Sequence, residues 1–312
     1  MTQFEFHWIR EYSTIYGAVA LFGFQKVLKE DLNVEVDALG QGQNGWFSSF
    51  FPQGYKEKIQ TFYAEKMKND IPFVEKRMQQ LEDSGKKFIE FTKNLKFDPN
   101  TFNEELISQL NEYFEIFTDY AGHLWRGFYF PLTSAKLFEE KIVSKDKSKM
   151  NEILSAYSIP SKKAGIFLIG EKFKDLKTMN EKVDFLLKEY PWITFGDYYL
   201  ERMNRQEAEE FAKSVAIPED NSNQEPLELN QEEKDIVEMY QYMLYIRDRR
   251  DEFRREAFYN GIDFFKEIQK RINLPLADIA LLMPNEIAEA LNGVNQKPLI
   301  EKRKKGFIVK VI

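Results

Sequence analysis

Apolar residues recur at three- and four-residue spacings along most of the chain, which is the period of an amphipathic helix. Glycine occurs 15 times and proline 11 times in 312 residues, which is too sparse to punctuate many short strands. The pattern therefore predicts a mainly α fold, a multi-helix bundle with long helices. Residues 302–312 end in an apolar, strand-like run. We expect a short C-terminal strand there, which either pairs with strands elsewhere in this chain or leads into a further domain.

The periodicity also predicts where individual helices lie. A first helix is expected over residues 4–30, followed by a turn-rich stretch over 40–54. Residues 55–95 form one helix or two, with Pro72 as the break. Thr101 and Glu104 have capping-box spacing, which predicts a helix that runs toward residue 129 and is kinked or ended by Pro131. Further helices are expected at 135–142, 147–156, 180–190, 205–216 and from residue 284, while the run 164–169 stays unassigned.

A change in composition divides the chain. Residues 218–229 read PEDNSNQEPLEL, which is typical of a linker. We therefore predict a helical subdomain over 1–217 and a long-helix C-terminal subdomain over 230–312. Asn230 and Glu233 form the next N-terminal cap signal. The helix that they open should persist to about residue 273, a length of roughly 60 Å.

Charge and cysteine content exclude several classes of protein. The chain has 44 Lys and Arg against 51 Asp and Glu, a net charge of -7, which argues against a surface built to hold nucleic acid. It has no cysteine, which excludes disulfides, thiolate zinc sites and cysteine nucleophiles and fits a reducing compartment. The apolar stretch at residues 16–24 is far short of the roughly 20 residues that span a membrane. We predict a cytoplasmic protein without membrane or nucleic-acid partners.

Arginines interrupt the apolar face of the predicted long helix. On a helical wheel, Arg247, Arg250 and Arg254 fall on the same face as the apolar residues around them, with Asp251 beside them. A buried cation has to be paired or has to face a polar cavity. One interpretation is a network with carboxylates, or a helix that leaves the core for two turns. The other is an anion site, because several guanidinium groups suit a phosphorylated or carboxylate-bearing small molecule.

Two further motifs are weaker. Residues 40–45 match G-x-G-x-x-G, but Trp46 and the aromatic residues after it do not open a helix, so nucleotide binding is not predicted. This stretch is either an aromatic loop that closes over a cavity or an ordinary turn that carries core aromatics. His123 follows Asp119 by four residues on a predicted helix, which makes the two a weak acid/base candidate. The alternative is a histidine packed among aromatic residues.

No complete catalytic apparatus is visible in the sequence. There is no G-x-S-x-G, no phosphate-binding G-x-x-x-x-G-K-[ST] and no zinc signature. Neither His7 nor His123 has a glutamate three positions before it, which excludes a Glu-x-x-His di-iron site. We therefore predict no catalytic residue, no metal site and no cofactor.

The C-terminal third resembles a known family in a succession of motifs. These are Arg-Asp-Arg-Arg at 247–250, Arg-Arg at 254–255, FFKEI at 264–268, LADIALLMPNEI at 276–287 and the basic EKRK at 301–304. The segment YPWI at 190–193 adds to them. Together they resemble the helical segment of PEP-utilising phosphotransferases, the phosphoenolpyruvate synthase and rifampin phosphotransferase-like proteins. The resemblance covers residues 189–312, whereas residues 1–188 match only in being helical.

The resemblance implies a central helical domain that holds the acceptor substrate or connects catalytic domains. Such a domain would work with a separate phosphohistidine or ATP-binding domain and is not catalytic alone. The family's catalytic histidine lies in a Thr-x-His context, whereas His7 lies in Phe-His-Trp and His123 in Gly-His-Leu, so neither is carried over. The first alternative is a stand-alone helical binding or interaction protein. The second is an independent enzyme that uses Asp119 and His123.

Overall fold

The computed structural model describes residues 3–11, 13–43, 45–197, 200–217 and 227–311. Its fold is mainly helical, as predicted, with a small sheet. The helices are α1 (Thr14–Leu32), α2 (Tyr55–Asn69), α3 (Ile71–Lys93), α4 (Asn103–Lys141), α5 (Met150–Tyr157), α6 (Gly165–Phe173), α7 (Met179–Glu189), α8 (Arg205–Ser214), α9 (Gln231–Ile272), α10 (Leu276–Ile279), α11 (Pro284–Leu291) and α12 (Lys297–Lys304). The strands are β1 (Phe4–Glu11), β2 (Ala38–Gln43), β3 (Trp46–Pro52) and β4 (Phe307–Val311).

Helix α4 is the centre of the fold and packs against α1, α2, α3 and α9. Its crossing with α1 is close because both helices place a glycine at the contact. A Cβ atom on Gly122 would lie 2.5 Å from the carbonyl oxygen of Gly23. The main hydrophobic core combines residues of α1, α3, α4 and α9. Helix α9 therefore shares a core with helices that precede the predicted linker, of which residues 218–226 lie outside the described residues.

The sheet has the order β1-β3-β2-β4, with antiparallel pairing throughout, and its inner face packs on α1. The prediction of a helix over 4–30 is wrong in its first part, since β1 occupies residues 4–11. Ser13 then caps α1, and its Oγ accepts a hydrogen bond from the Tyr16 N–H at 3.2 Å. Strand β4 pairs with β2, so the C-terminal strand is present and finds its partner within this chain.

The glycine-rich match at 40–45 is part of a β-hairpin that carries core aromatics. A Cβ atom on Gly40 would lie 2.3 Å from the ring of Phe47, and one on Gly42 would lie 1.8 Å from the ring of Phe307. Gly45 has a φ of +78° at the turn, a conformation that favours glycine. These glycines make room for aromatic rings and for a turn.

The remaining helix predictions are confirmed in part. A break separates α2 from α3 at Asp70, with Pro72 in the first turn of α3. Asn230 and Glu233 form the expected capping box at the start of α9. The predicted cap at Thr101 is wrong, because α4 begins after Phe102 and Thr101 instead accepts a hydrogen bond from the Asp98 N–H. Helix α4 also continues through Pro131 to Lys141, and the unassigned run 164–169 belongs to α6.

Candidate functional site

An aromatic pocket of about 170 Å³ lies between β1, α1, α2 and α4. We call it the aromatic pocket. It is lined by His7, Trp8, Arg10, Tyr16, Ala20, Lys56, Gln60, Leu124, Trp125, Phe128, Tyr129 and Leu132. An apolar cavity of about 150 Å³ in another protein holds one benzene molecule. The volume therefore suits a ligand built on a single six-membered ring.

Local sequence explains why so many rings meet at this point. Leu124, Phe128 and Leu132 are four residues apart on α4 and so lie on one face of that helix. On β1, the pairing register shifts between Phe6 and Trp8, which is a β-bulge. His7 and Trp8 consequently both contact inner rings: His7 lies 4.7 Å from Phe51 and Trp8 lies 5.2 Å from Trp125, centroid to centroid.

His7 places an imidazole among the rings of the pocket. Its Nε2 lies 3.0 Å from the Tyr129 hydroxyl, and its Nδ1 is buried without a hydrogen-bond partner among the described residues. Burial and, second, the positive charge of Lys56 lower the pKa of His7 from 6.5 to about 4. Burial raises the pKa of Tyr129. Both side chains are therefore neutral at pH 7, and the buried Nδ1 of His7 has its hydrogen-bonding capacity unused among the described residues.

Lys56 and Arg10 place two positive charges beside the pocket. In the described part of the chain, neither the Lys56 ammonium nor the Arg10 guanidinium has a carboxylate within 4 Å. Arg10 donates to the neighbouring Ile9 carbonyl, at 3.0 Å. Glu5 contacts the backbone N–H of Lys56 at 3.2 Å. Aromatic walls with unpaired positive charge beside them favour a planar ligand that carries a negative charge.

Arg250, from the predicted arginine face, lies against one ring of this pocket. Its guanidinium carbon is 3.6 Å from the centroid of the Phe128 ring, and its Nη1 donates to the Gly127 carbonyl. That carbonyl lies four residues before Pro131, which has no N–H to offer it. Arg250 thus supplies the hydrogen bond that the proline cannot make, and α4 continues as a helix. Burial lowers the pKa of Arg250.

The other two predicted anion-binding residues lie in different surroundings. Arg254 is buried, lies over the Tyr16 ring at 5.1 Å and donates to the Gly196 carbonyl. Arg247 has a side chain that is 54% exposed and pairs with the adjacent Asp248 at 2.9 Å. The expectation that all three share an inward face is therefore wrong for Arg247. An anion site on this helix remains a prediction, although Arg250 and Arg254 already donate to backbone carbonyls.

His123 and Asp119 are neighbours, as their spacing predicts, with 3.9 Å between His123 Nε2 and Asp119 Oδ2. Arg126 donates to His123 Nδ1 at 2.5 Å, and Asp119 also pairs with Lys26 at 2.6 Å. Burial, followed by the charge of Arg126, lowers the pKa of His123 to about 4. The acid/base role of this pair remains a prediction. The pair adjoins a charge network that sequence reasoning missed.

That charge network centres on Arg126, which is fully buried and whose Nε and Nη2 donate to Asp31 at 2.7 and 2.8 Å. Arg77 contacts the same carboxylate at 2.8 Å, and Glu30 pairs with both arginines. Two positive and two negative charges therefore balance each other where α1, α3 and α4 meet. The available signal was a lone arginine in the otherwise apolar run LWRGFYF at 124–130.

The fold and the pocket together define a mainly α-helical protein with an aromatic site beside a small antiparallel sheet. Comparisons with protein-family models, with curated proteins and with solved structures gave no match. Among the described residues, no helix is long and apolar enough to cross a membrane.

Proposed function

We propose that this chain is a small-molecule-binding domain whose aromatic pocket holds a planar, one-ring compound with an anionic group. The observation that carries the proposal is the combination of five aromatic side chains and His7 with Lys56 and Arg10, two cations that have no carboxylate partner among the described residues. Apolar surface supplies most of the affinity in such sites, and a few polar groups fix the ligand's orientation. In this pocket, the neutral His7 would accept or donate one further hydrogen bond.

The resemblance to PEP-utilising phosphotransferases extends the proposal. If the chain works within such an assembly, the aromatic pocket would hold the acceptor, and ATP or phosphoenolpyruvate would act through a separate domain. We therefore expect the purified chain alone to transfer no phosphoryl group from either donor, since the sequence contains no phosphate-cradling loop. A stable phosphohistidine on His7 or His123 after incubation with either donor would contradict this part of the proposal.

Tryptophan fluorescence gives a direct test of the pocket. The chain has four tryptophans, and Trp8 and Trp125 line the pocket. A background with Trp46→Phe and Trp192→Phe makes the signal report on the pocket alone. Benzoate should quench it saturably and bind at least tenfold more tightly than benzylamine, with the neutral benzyl alcohol in between.

A matched pair of variants separates the pocket's charge from the charge of the whole protein. Lys56→Met should remove most of the preference for benzoate over benzyl alcohol. Lys58→Met makes the same charge change two residues along α2, where the ammonium lies over the Tyr55 ring, and should leave the preference intact. An absence of saturable quenching, equal affinity for benzylamine, or an equal effect of the two variants would each contradict the proposal.

A further inference from the structure

A second concavity lies on another side of α4, between the α2–α3 corner, the C-terminal end of α4 and the first half of α9. It has a volume of about 1040 Å³, and we call it the α9 groove. Its lining on α9 runs from Glu232 to Tyr242, a length of about 15 Å at 1.5 Å per residue. This length equals nearly three turns of a helix. The volume is at the upper end of what small molecules occupy.

The α9 groove has an apolar floor. Met67, Ile71, Leu137, Ile236 and Met239 contribute to it from four different helices. Ile71 is 37% exposed, so part of this floor is open to solvent. Met67 is 1% exposed, so the surface open to a partner comes from Ile71, Leu137, Ile236 and Met239. An apolar groove of this kind suits the apolar face of an amphipathic helix.

The walls of the α9 groove are charged, and acidic residues outnumber basic ones. Glu75, Glu232, Asp235 and Glu238 line it together with Lys68 and Lys141. Within the described ranges, none of the four carboxylates has an ion-pair partner. Glu232 lies in the first turn of α9, where the helix dipole by itself favours a carboxylate. Asp235 and Glu238 lie beyond that turn, so the dipole does not account for the acidic wall.

We propose that the α9 groove docks a cationic amphipathic helix of a partner protein, about three turns long. Leucine-like side chains of the partner would lie on the apolar floor. Its lysines or arginines would lie along the acidic wall of α9, where unpaired carboxylates gain from an incoming positive charge. This surface is separate from the aromatic pocket, so the two proposals stand or fall independently.

The probe is an acetylated and amidated 12-residue peptide with Leu at positions 1, 4, 5, 8, 9 and 12 and Lys elsewhere. This spacing places all leucines on one helical face. We expect saturable binding in fluorescence anisotropy and a gain of peptide helicity on binding. A peptide of the same composition with alternating Leu and Lys should bind at least tenfold more weakly. A peptide with Glu in place of Lys should not bind.

Two triple variants with the same charge change test where the peptide binds. Glu232→Gln, Asp235→Asn and Glu238→Gln together should weaken binding at least tenfold. Glu105→Gln, Glu112→Gln and Glu115→Gln on the exposed side of α4 should change it less than twofold. Equal effects of the two sets would mean attraction by net charge alone and would overturn the proposal. Equal affinity for the alternating peptide would also overturn the proposal. So would complete displacement of the peptide by spermine at concentrations at which spermine binds any acidic surface.

A single variant tests the apolar floor against the charge. Ile71→Glu adds a negative charge to the groove and places an acidic residue at the start of α3, where the helix dipole favours it. If the floor contributes, this variant should bind the basic peptide more weakly despite its extra charge, above all at high salt, which screens exposed charges. Stronger binding by Ile71→Glu would contradict docking on the floor.

Discussion

Two pairs of buried arginines differ in what holds their charge away from water. Arg126 and Arg77 meet the carboxylates of Glu30 and Asp31. Arg250 and Arg254 instead donate to backbone carbonyls and lie over aromatic rings, with Asp251 no closer than 3.6 Å to Arg250. The first pair forms a neutral cluster with two carboxylates, whereas the second donates to backbone carbonyls and shares the single carboxylate of Asp251, 3.6 Å from Arg250 and 3.7 Å from Arg254.

This difference determines what a substitution leaves behind. Loss of an arginine from the carboxylate cluster strands a buried negative charge, because the Asp31 side chain is fully buried. Loss of Arg250 leaves a neutral carbonyl without its donor, which costs less. Although both arginines are buried cations, we therefore expect their removal to affect stability to different extents.

The largest effect should come from Arg126→Met. We expect this variant to lower the free energy of unfolding by about 3 to 5 kcal/mol, the range for breaking a buried ion pair. Urea denaturation followed by circular dichroism measures the change. Adding Asp31→Leu to Arg126→Met removes the stranded carboxylate and should recover part of the loss, while Arg77 keeps Glu30 as its partner. A cost below about 1 kcal/mol for the single variant, or no recovery in the double variant, would contradict this account of the cluster.

Acid should weaken the carboxylate cluster and leave the second pair unaffected. His123 accepts from Arg126, and its pKa is about 4 in the folded protein against 6.5 ordinarily. The unfolded chain therefore takes up a proton first as the pH falls from 6.5 toward 4, and stability is lost over that window. The loss is at most about 3 kcal/mol for this histidine. His7 acts in the same direction because its pKa is also about 4.

The measurement is the free energy of unfolding at several pH values between 7 and 4. His123→Gln keeps an acceptor for Arg126 but does not titrate, so its pH dependence should be shallower than that of the parent protein. Arg250→Met should retain the parent's pH dependence. The same slope in His123→Gln as in the parent would show that the cluster does not sense acid through His123.

The helical parts of this fold could be predicted because their signals are local. Pro72 predicts the break between α2 and α3, and Asn230 with Glu233 predicts the start of α9. Strand β1 was missed although Phe4, Phe6 and Trp8 alternate with other residues, because its pairing partners in β3 lie 35 (Glu11 to Trp46) to 48 (Phe4 to Pro52) residues away. The aromatic pocket was missed for the same reason, since its rings come from three elements, β1, α1 and α4, that only the tertiary fold brings together.

The arginine face was predicted in part. Helical phase places the side chains of Arg250 and Arg254 on the buried side of α9, but it does not identify the groups to which they donate hydrogen bonds. The partner of Arg250 is a carbonyl 123 residues away in the chain. The local clue to that carbonyl was Pro131, since a proline inside a helix frees the carbonyl four residues before it.

An intermediate effect is expected for Arg250→Met. It should cost about 1 to 3 kcal/mol, because the buried Gly127 carbonyl loses its donor. In a Pro131→Ala background, the new N–H can bond that carbonyl, so the same substitution should cost less by about 0.5 to 1 kcal/mol. A double-mutant cycle measured by urea denaturation gives this coupling. Equal costs in the two backgrounds would mean that Arg250 does not replace the missing N–H of Pro131.

The smallest effect is expected for Arg247→Ala, the arginine of the predicted face that lies outside. Its partner Asp248 is adjacent in the chain and its side chain is 54% exposed, so the pair contributes little. We expect a change within about 0.5 kcal/mol in the free energy of unfolding and none in its pH dependence.

Inorganic phosphate tests the anion hypothesis on the same protein. If the three arginines share an anion site, phosphate should raise the melting temperature, and Arg247→Ala should abolish that rise. If Arg250 and Arg254 serve only the backbone carbonyls that they contact, phosphate should raise the melting temperature of neither the parent nor the variant.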